Sequence, residues 1–298
     1  MMVKRPKSII PPDVLREYLQ VEIGDVPYDP YLVLIDYYEV MDPALRGSSV
    51  AYSPAKSTEM GKVDQTMLNH IRNGVWALIE LNVGLTALGS ANALSEQELR
   101  EVIALFSVHD LHKIHGKDWK EQFDISQEEI IEYAEAFGAT KFAPGLTGHD
   151  FQSVAVALHK SIGYHANLSV KFNLYRPWLT IADTLASIEQ PQATPSMQQQ
   201  LDRIDPSVDF YYHTFQDATG ILTNLVHTGI AEWASEKGLH PLLIFEKGVL
   251  YLGEADKPFE LSEEEDIKEI YRAFRAALNS SHVTFSDTFE LQKSIETQ

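Results

Sequence analysis

The stretch over residues 95–114 constrains the fold most, because a helix start signal is followed there by a chemically distinctive pair of residues. Ser95 and Glu98 have the spacing of a capping box, in which the two side chains satisfy each other's backbone N–H groups at a helix N-terminus. The sequence therefore predicts a helix that begins at Ser95 and carries an apolar run into the dipeptide His109-Asp110.

The His109-Asp110 pair is a candidate metal-binding and catalytic unit. An adjacent histidine and aspartate can bind one divalent ion together, since imidazole offers a nitrogen and carboxylate offers oxygens that can also bridge two ions. Lys113 follows Asp110 by three residues and shares its face on a helix, so we expect it to contact Asp110 or a substrate phosphate. Such a pair is common by itself, and its significance depends on further candidate ligands.

A second helical pattern precedes this stretch and carries the candidate ligand His70. The helix is predicted to start near Asp64, and its apolar face carries residues at helical spacing: Met67, His70, Ile71, Gly74, Val75 and Leu78. An isolated histidine on a buried face is usually a packing residue. Here the His109-Asp110 pair on the next predicted helix favours a ligand instead.

Later helices add the last candidate, Asp183. A capping box at Ser126 and Glu129 opens a helix that Gly138 closes. Another helix begins near His149, and Pro177 suits the first turn of the helix that carries Asp183 among apolar neighbours. A buried carboxylate needs a partner or a metal ion.

Composition limits the classes of function. The chain has no cysteine, so any metal site must use His, Asp or Glu. The sequence contains no run of about 18 apolar residues, so no membrane span is predicted. The basic N-terminus lacks the apolar core of a secretory signal, and a cytoplasmic location is therefore expected. The net charge of -19, from 24 Lys and Arg against 43 Asp and Glu, argues against broad nucleic-acid binding by this chain alone.

The C-terminal part has a different pattern. Residues 210–238 have a helical pattern, and residues 242–245 and 249–252 form two apolar runs separated by Glu246, Lys247 and Gly248, which predicts a β-hairpin. We therefore expect an N-terminal extension over residues 1–62 that packs on the core, a domain over 63–190, and a C-terminal helical segment with a hairpin over 191–298.

The order His70, His109-Asp110, Asp183 on predicted helices resembles the HD superfamily of metal-dependent phosphohydrolases, whose late aspartate often stands in an Ala-Asp-x-Leu-Ala context like that of Asp183. The resemblance covers roughly residues 60–190. It implies a mainly α fold, with a helical HD-domain core and a small C-terminal α+β part that contains the hairpin. Within the superfamily, the chain most resembles the N-terminal nuclease domain of the large subunit of type I-D CRISPR effector complexes, and residues 238–252 resemble the segment on the C-terminal side of that domain.

This resemblance implies a metal-dependent DNA nuclease that acts in antiviral defence with other effector subunits and a guide RNA, and the chain is then the start of a larger subunit. Imidazole and carboxylate ligands suit Mn, Fe, Co, Ni or Zn better than Mg. The resemblance leaves one or two ions open, since many related nucleases bind a second ion through extra histidines. If a second ion binds, we expect His149 and His165 as its ligands. Two other histidines of this region are assigned differently. His159 lies within a predicted helix and suits packing as well as it suits metal binding, and His112 is expected at the surface or beside the ligands.

Two other functions remain open from the sequence. One is a nucleotide or cyclic-nucleotide phosphohydrolase of the same superfamily, because a small substrate needs no extended basic groove. The other is an inactive scaffold or binding module that keeps the metal ligands without turnover.

Overall fold

The computed structural model of the chain describes residues 29–55, 66–115, 125–159, 167–187, 194–214, 238–245 and 248–255. Within these ranges the chain is mainly helical and ends in a small antiparallel sheet, as expected from the sequence. None of the helices in the described part combines the length and the apolar character needed to cross a membrane.

The described helices are α1 (Pro30–Gly47), α2 (Met67–Ala87), α3 (Glu96–Phe106), α4 (Leu111–Ile114), α5 (Gln127–Ala136), α6 (Ala139–Phe142), α7 (Gly148–Ala157), α8 (Val170–Ser187) and α9 (Pro195–Ile204). The long helix α2 is the centre of the fold, and it packs against α1, α3, α8 and the C-terminal sheet. Its predicted apolar face is confirmed, since all six residues of that face are buried. It begins at Met67 rather than near Asp64, and the Thr66 side chain accepts a hydrogen bond from the backbone N–H of Asn69.

The capping box at Ser95 and Glu98 is confirmed at the start of α3. The helix ends at Phe106, however, so His109 and Asp110 lie in the turn between α3 and α4 and not within a continuous helix. Ser107 helps to end α3, because its hydroxyl donates to the carbonyl of Ala104 at 2.7 Å and competes for the helical acceptors.

Three later helix boundaries test the other start and stop signals. The Ser126 side chain caps α5 by accepting from the Glu129 N–H, which confirms the Ser126 half of the predicted capping box. Gly138 follows α5 in the left-handed conformation (φ 72°), as predicted. The prediction for Pro177 is wrong, because α8 begins seven residues earlier and encloses the proline. Its start is set by Ser169, whose hydroxyl accepts from the Phe172 N–H at 2.9 Å.

The predicted hairpin is present as β2 (His240–Phe245) and β3 (Gly248–Glu254), which pair antiparallel. A further strand, β1 (Val208–Thr214), pairs with the other edge of β3, giving the order β1-β3-β2. The predicted helical pattern over residues 210–238 is therefore wrong up to Thr214, and residues 215–237 lie outside the described part. The sheet packs closely on α2 at Gly84, where an added Cβ would lie 2.6 Å from Leu252 Cδ1.

Candidate metal centre

Four side chains meet in a group that we call the His-Asp cluster: His70, His109, Asp110 and Asp183. They come from α2, the turn between α3 and α4, and α8, and one donor atom of each lies within 4.8 Å of all the others. His70, His109 and Asp110 are fully buried, whereas the Asp183 side chain is 22% exposed. The cluster therefore opens towards solvent on the side of Asp183.

The spacing of the donor atoms suits one shared ion. His70 Nε2 lies 3.1 Å from His109 Nε2, and Asp183 Oδ1 lies 3.2 and 3.3 Å from these two nitrogens. Asp110 Oδ2 lies 3.4 Å from each of them. A tetrahedral ion with bonds of about 2.0–2.1 Å separates its ligand atoms by roughly 3.3–3.4 Å, and an octahedral one separates adjacent ligand atoms by roughly 3.0 Å. The cluster could thus hold a metal ion, and Asp183 lies close enough to the other three residues to share it.

The orientation of His109 is set by its neighbours. Its Nδ1–H donates to the carbonyl oxygen of Phe106 at 2.5 Å, so the Nε2 of the neutral ring carries its lone pair into the cluster. The Phe106 ring stacks on the imidazole with the centroids 4.3 Å apart. Gly74 leaves space for this ring, since an added Cβ would lie 2.0 Å from Phe106 Cε1.

The electrostatic balance favours two ionised carboxylates. Burial opposes ionisation of Asp110 and Asp183, but the surrounding cationic and hydrogen-bonding groups outweigh it and hold the pKa of both carboxyls well below the usual range. For Asp110 these groups are His109, His159, Lys113 and His70, and for Asp183 they are His109, His70 and His159. Burial lowers the pKa of His70, whereas the pKa of His109 is raised, because Asp110 and Asp183 outweigh its burial. A buried pair of carboxylates held ionised is ready to bind a cation.

Lys113 makes one of the two contacts expected for it. It lies on α4, three residues after Asp110, and its ammonium donates to Asp110 Oδ2. Its side chain is 25% exposed, so the ammonium bridges the buried carboxylate and the surface.

A second group of donors shares Asp110 and was missed by the sequence reasoning: Asp110, His112 and His159. His159 Nε2 lies 3.2 Å and His112 Nε2 lies 3.9 Å from Asp110 Oδ1. Burial lowers the pKa of His112 to about 4, so its ring is neutral at physiological pH. On a continuous helix, residues two apart face away from each other, but the turn at Asp110 removes that restriction. The proximity of His112 to the pair was the available signal.

The two histidines expected to hold a second ion are placed differently. His149 lies in the first turn of α7 and is half-buried, and it belongs to neither group of donors found in the described ranges. His165 lies outside the described residues.

Comparison with models of protein families and with curated protein sequences finds no match to this chain. Its function is therefore inferred from the residues of the two groups and from their geometry.

Proposed function

We propose that this chain is a metal-dependent phosphodiester hydrolase that holds a divalent ion in the His-Asp cluster. The observation that carries the proposal is the convergence of two imidazole nitrogens and two carboxylate oxygens, spaced 3.1–3.4 Å apart in five pairs, in a buried cluster with one open side. When bound, such an ion lowers the pKa of a water molecule towards neutrality and polarises a phosphoryl oxygen.

Each residue of the cluster has a distinct task in this proposal. The hydrogen bond from His109 to Phe106 keeps Nε2 directed at the ion. Asp183, the most exposed ligand, marks the side from which a phosphodiester approaches. The stacked ring of Phe106 excludes water from the opposite, buried side of His109. Lys113 provides a cation at the edge of the cluster, where a phosphate carries negative charge.

The donor set suits Mn, Fe, Co, Ni or Zn better than Mg, because histidine nitrogens are borderline ligands.

We include a second ion in the proposal. Asp110 turns Oδ2 towards His70 and His109 and Oδ1 towards His159, which suits it to bridge two ions. His112 and His159 are then the ligands of the second position.

For the substrate, we propose DNA cleaved within an RNA-guided CRISPR effector complex. The order of the four ligands and the hairpin region that resembles the type I-D large subunit support this assignment. The net charge of -19 means that partner subunits must supply the basic groove for DNA. The same charge favours the second candidate, a nucleotide phosphohydrolase, because a small substrate needs no such groove.

The test is hydrolysis by the purified protein of single-stranded DNA, duplex DNA and a nucleotide panel, each with Mn, Co, Ni, Zn or Mg. Asp183→Asn should lose hydrolysis, whereas Asp202→Asn, the same change at an exposed site on α9, should retain it. Cleavage of DNA alone supports the nuclease, and hydrolysis of nucleotides alone supports the second candidate. If no reaction shows metal-dependent hydrolysis, even when the partner subunits and guide RNA that supply the basic groove are added, both candidates are contradicted and the scaffold is favoured.

A further inference from the structure

One oxygen atom of the His-Asp cluster is needed by two different cations. Asp110 Oδ2 lies 3.4 Å from Nε2 of both His70 and His109, which makes it one of the four donors for an ion. The same oxygen accepts the hydrogen bond of the Lys113 ammonium. The Asp110 side chain has no exposed surface, so solvent cannot replace either cation.

We propose that Lys113 is a positioning residue that competes with the divalent ion for Asp110 Oδ2, and that loading of the ion releases its ammonium to bind a phosphate group. This inference rests on the metal site of the proposed function. It assigns to the site a ligand class, the phosphate anion, and a fixed order in which the cation precedes the anion.

The competition follows from the burial of Asp110. A buried carboxylate is costly unless a cation or hydrogen bonds compensate it, and the Lys113 ammonium at Asp110 Oδ2 provides such compensation. A divalent ion bonded to Oδ2 takes over the role and repels an ammonium at the same oxygen. Lys113 can move away, because its side chain is 25% exposed and its four-carbon stem rotates freely.

The released ammonium stays near the ion, since its stem begins only three residues after Asp110. A phosphate bound at the open side of the cluster then meets both the ion and the ammonium. A purely structural role for Lys113 predicts the opposite effect on metal binding. If the ammonium only held Asp110 in its ligand position, its removal would weaken the binding of the ion.

The experiment is calorimetric titration of Mn²⁺ into metal-free protein, followed by titration of inorganic phosphate into the Mn²⁺-loaded protein. The variants are Lys113→Met, which keeps the stem without the charge, and Lys113→Arg, which keeps the charge. Lys141→Met is the matched control, because Lys141 is an exposed lysine on α6 and the variant loses the same charge.

We expect Lys113→Met to bind Mn²⁺ several-fold more tightly than the wild type and phosphate several-fold more weakly. Lys113→Arg should bind Mn²⁺ more weakly than the wild type, because a guanidinium can hold both oxygens of Asp110. The Lys141→Met control should match the wild type in both titrations.

Unchanged or weaker Mn²⁺ binding by Lys113→Met overturns the competition, and unchanged phosphate binding overturns the release of the ammonium. If Lys113→Met does not fold, the arginine variant decides, and Mn²⁺ binding equal to or tighter than wild type overturns the proposal. Absence of Mn²⁺ binding in every variant overturns the metal site itself. If the titrations give the expected affinities but the protein hydrolyses no substrate, the proposed activity is refuted. The competition between Lys113 and the ion for Asp110 then still holds.

Discussion

Gly74→Ala tests whether the packing around His109 prepares the metal site. The added Cβ would lie 2.0, 2.2 and 2.9 Å from three atoms of the Phe106 ring, whereas carbon atoms in contact are about 3.5–4.0 Å apart. Phe106 is fully buried and stacks on His109, so its ring cannot move without displacing the imidazole.

The size of the effect follows from two opposing terms. Overpacking of a core costs about 1–3 kcal/mol, and so short an approach to a buried ring places Gly74→Ala at the upper end. Alanine gains about 0.8–1 kcal/mol over glycine in a helix interior. The expected net loss is about 2 kcal/mol of the free energy of unfolding. With an unfolding entropy of about 2.1 cal/mol/K per residue, this loss lowers the melting temperature of a chain of this size by roughly 3 °C.

Thermal unfolding of the protein without added metal checks the loss of stability. Calorimetric titration of Mn²⁺ checks whether displacement of the His109 imidazole weakens the binding of the ion. Gly47→Ala is the matched control, because Gly47 ends α1 with nothing within 4 Å of an added Cβ. The control should keep the wild-type melting temperature or raise it slightly. If Gly74→Ala matched the wild type in melting temperature and in Mn²⁺ affinity, the stack of Phe106 on His109 would have no part in forming the site.

Three further outcomes are expected. Replacing His109 and Asp110 together by Ala should abolish metal-dependent cleavage while the circular dichroism spectrum stays helical, because the site loses one nitrogen and one oxygen donor and keeps only His70 and Asp183; retained cleavage would place the active site elsewhere. Mn²⁺ at 100 times its dissociation constant should stabilise the wild type by about 2.7 kcal/mol, an increase in melting temperature that chelation reverses and that Asp183→Asn lacks. Because Asp110 and Asp183 outweigh burial and raise the pKa of His109, protons should compete with the ion for this ring more strongly than for an ordinary histidine. Titrations at successive pH values should therefore show Mn²⁺ affinity falling as the pH falls, and an affinity independent of pH would exclude His109 as a ligand.

Most of the helical architecture was predictable because its signals are local. The capping residues Ser95 and Ser126 act on N–H groups three residues away, and the apolar face of α2 needs only a helical period. The hairpin of β2 and β3 was predictable for the same reason, since its strands are neighbours in sequence. The helical period also placed His70 on the buried face of α2.

Other features depend on partners that are distant in the chain. β1 pairs with β3, about forty residues later, and its residues 210–214 were wrongly predicted as the start of a longer helical pattern. The start of α8 depends on Ser169, which is held in place from α7, because its backbone N–H donates to Ser153 Oγ at 2.9 Å. The local signal at Pro177 carries no information about that contact.

The sequence by itself therefore determined the mainly helical fold class and the types of residue available to a metal ion. Only the tertiary structure decided that His70, His109, Asp110 and Asp183 share one buried site, because their separation along the chain is bridged by the packing of α2 and α8 around the turn. It also brought His159 to Asp110, a contact between residues 49 positions apart that no local pattern encodes.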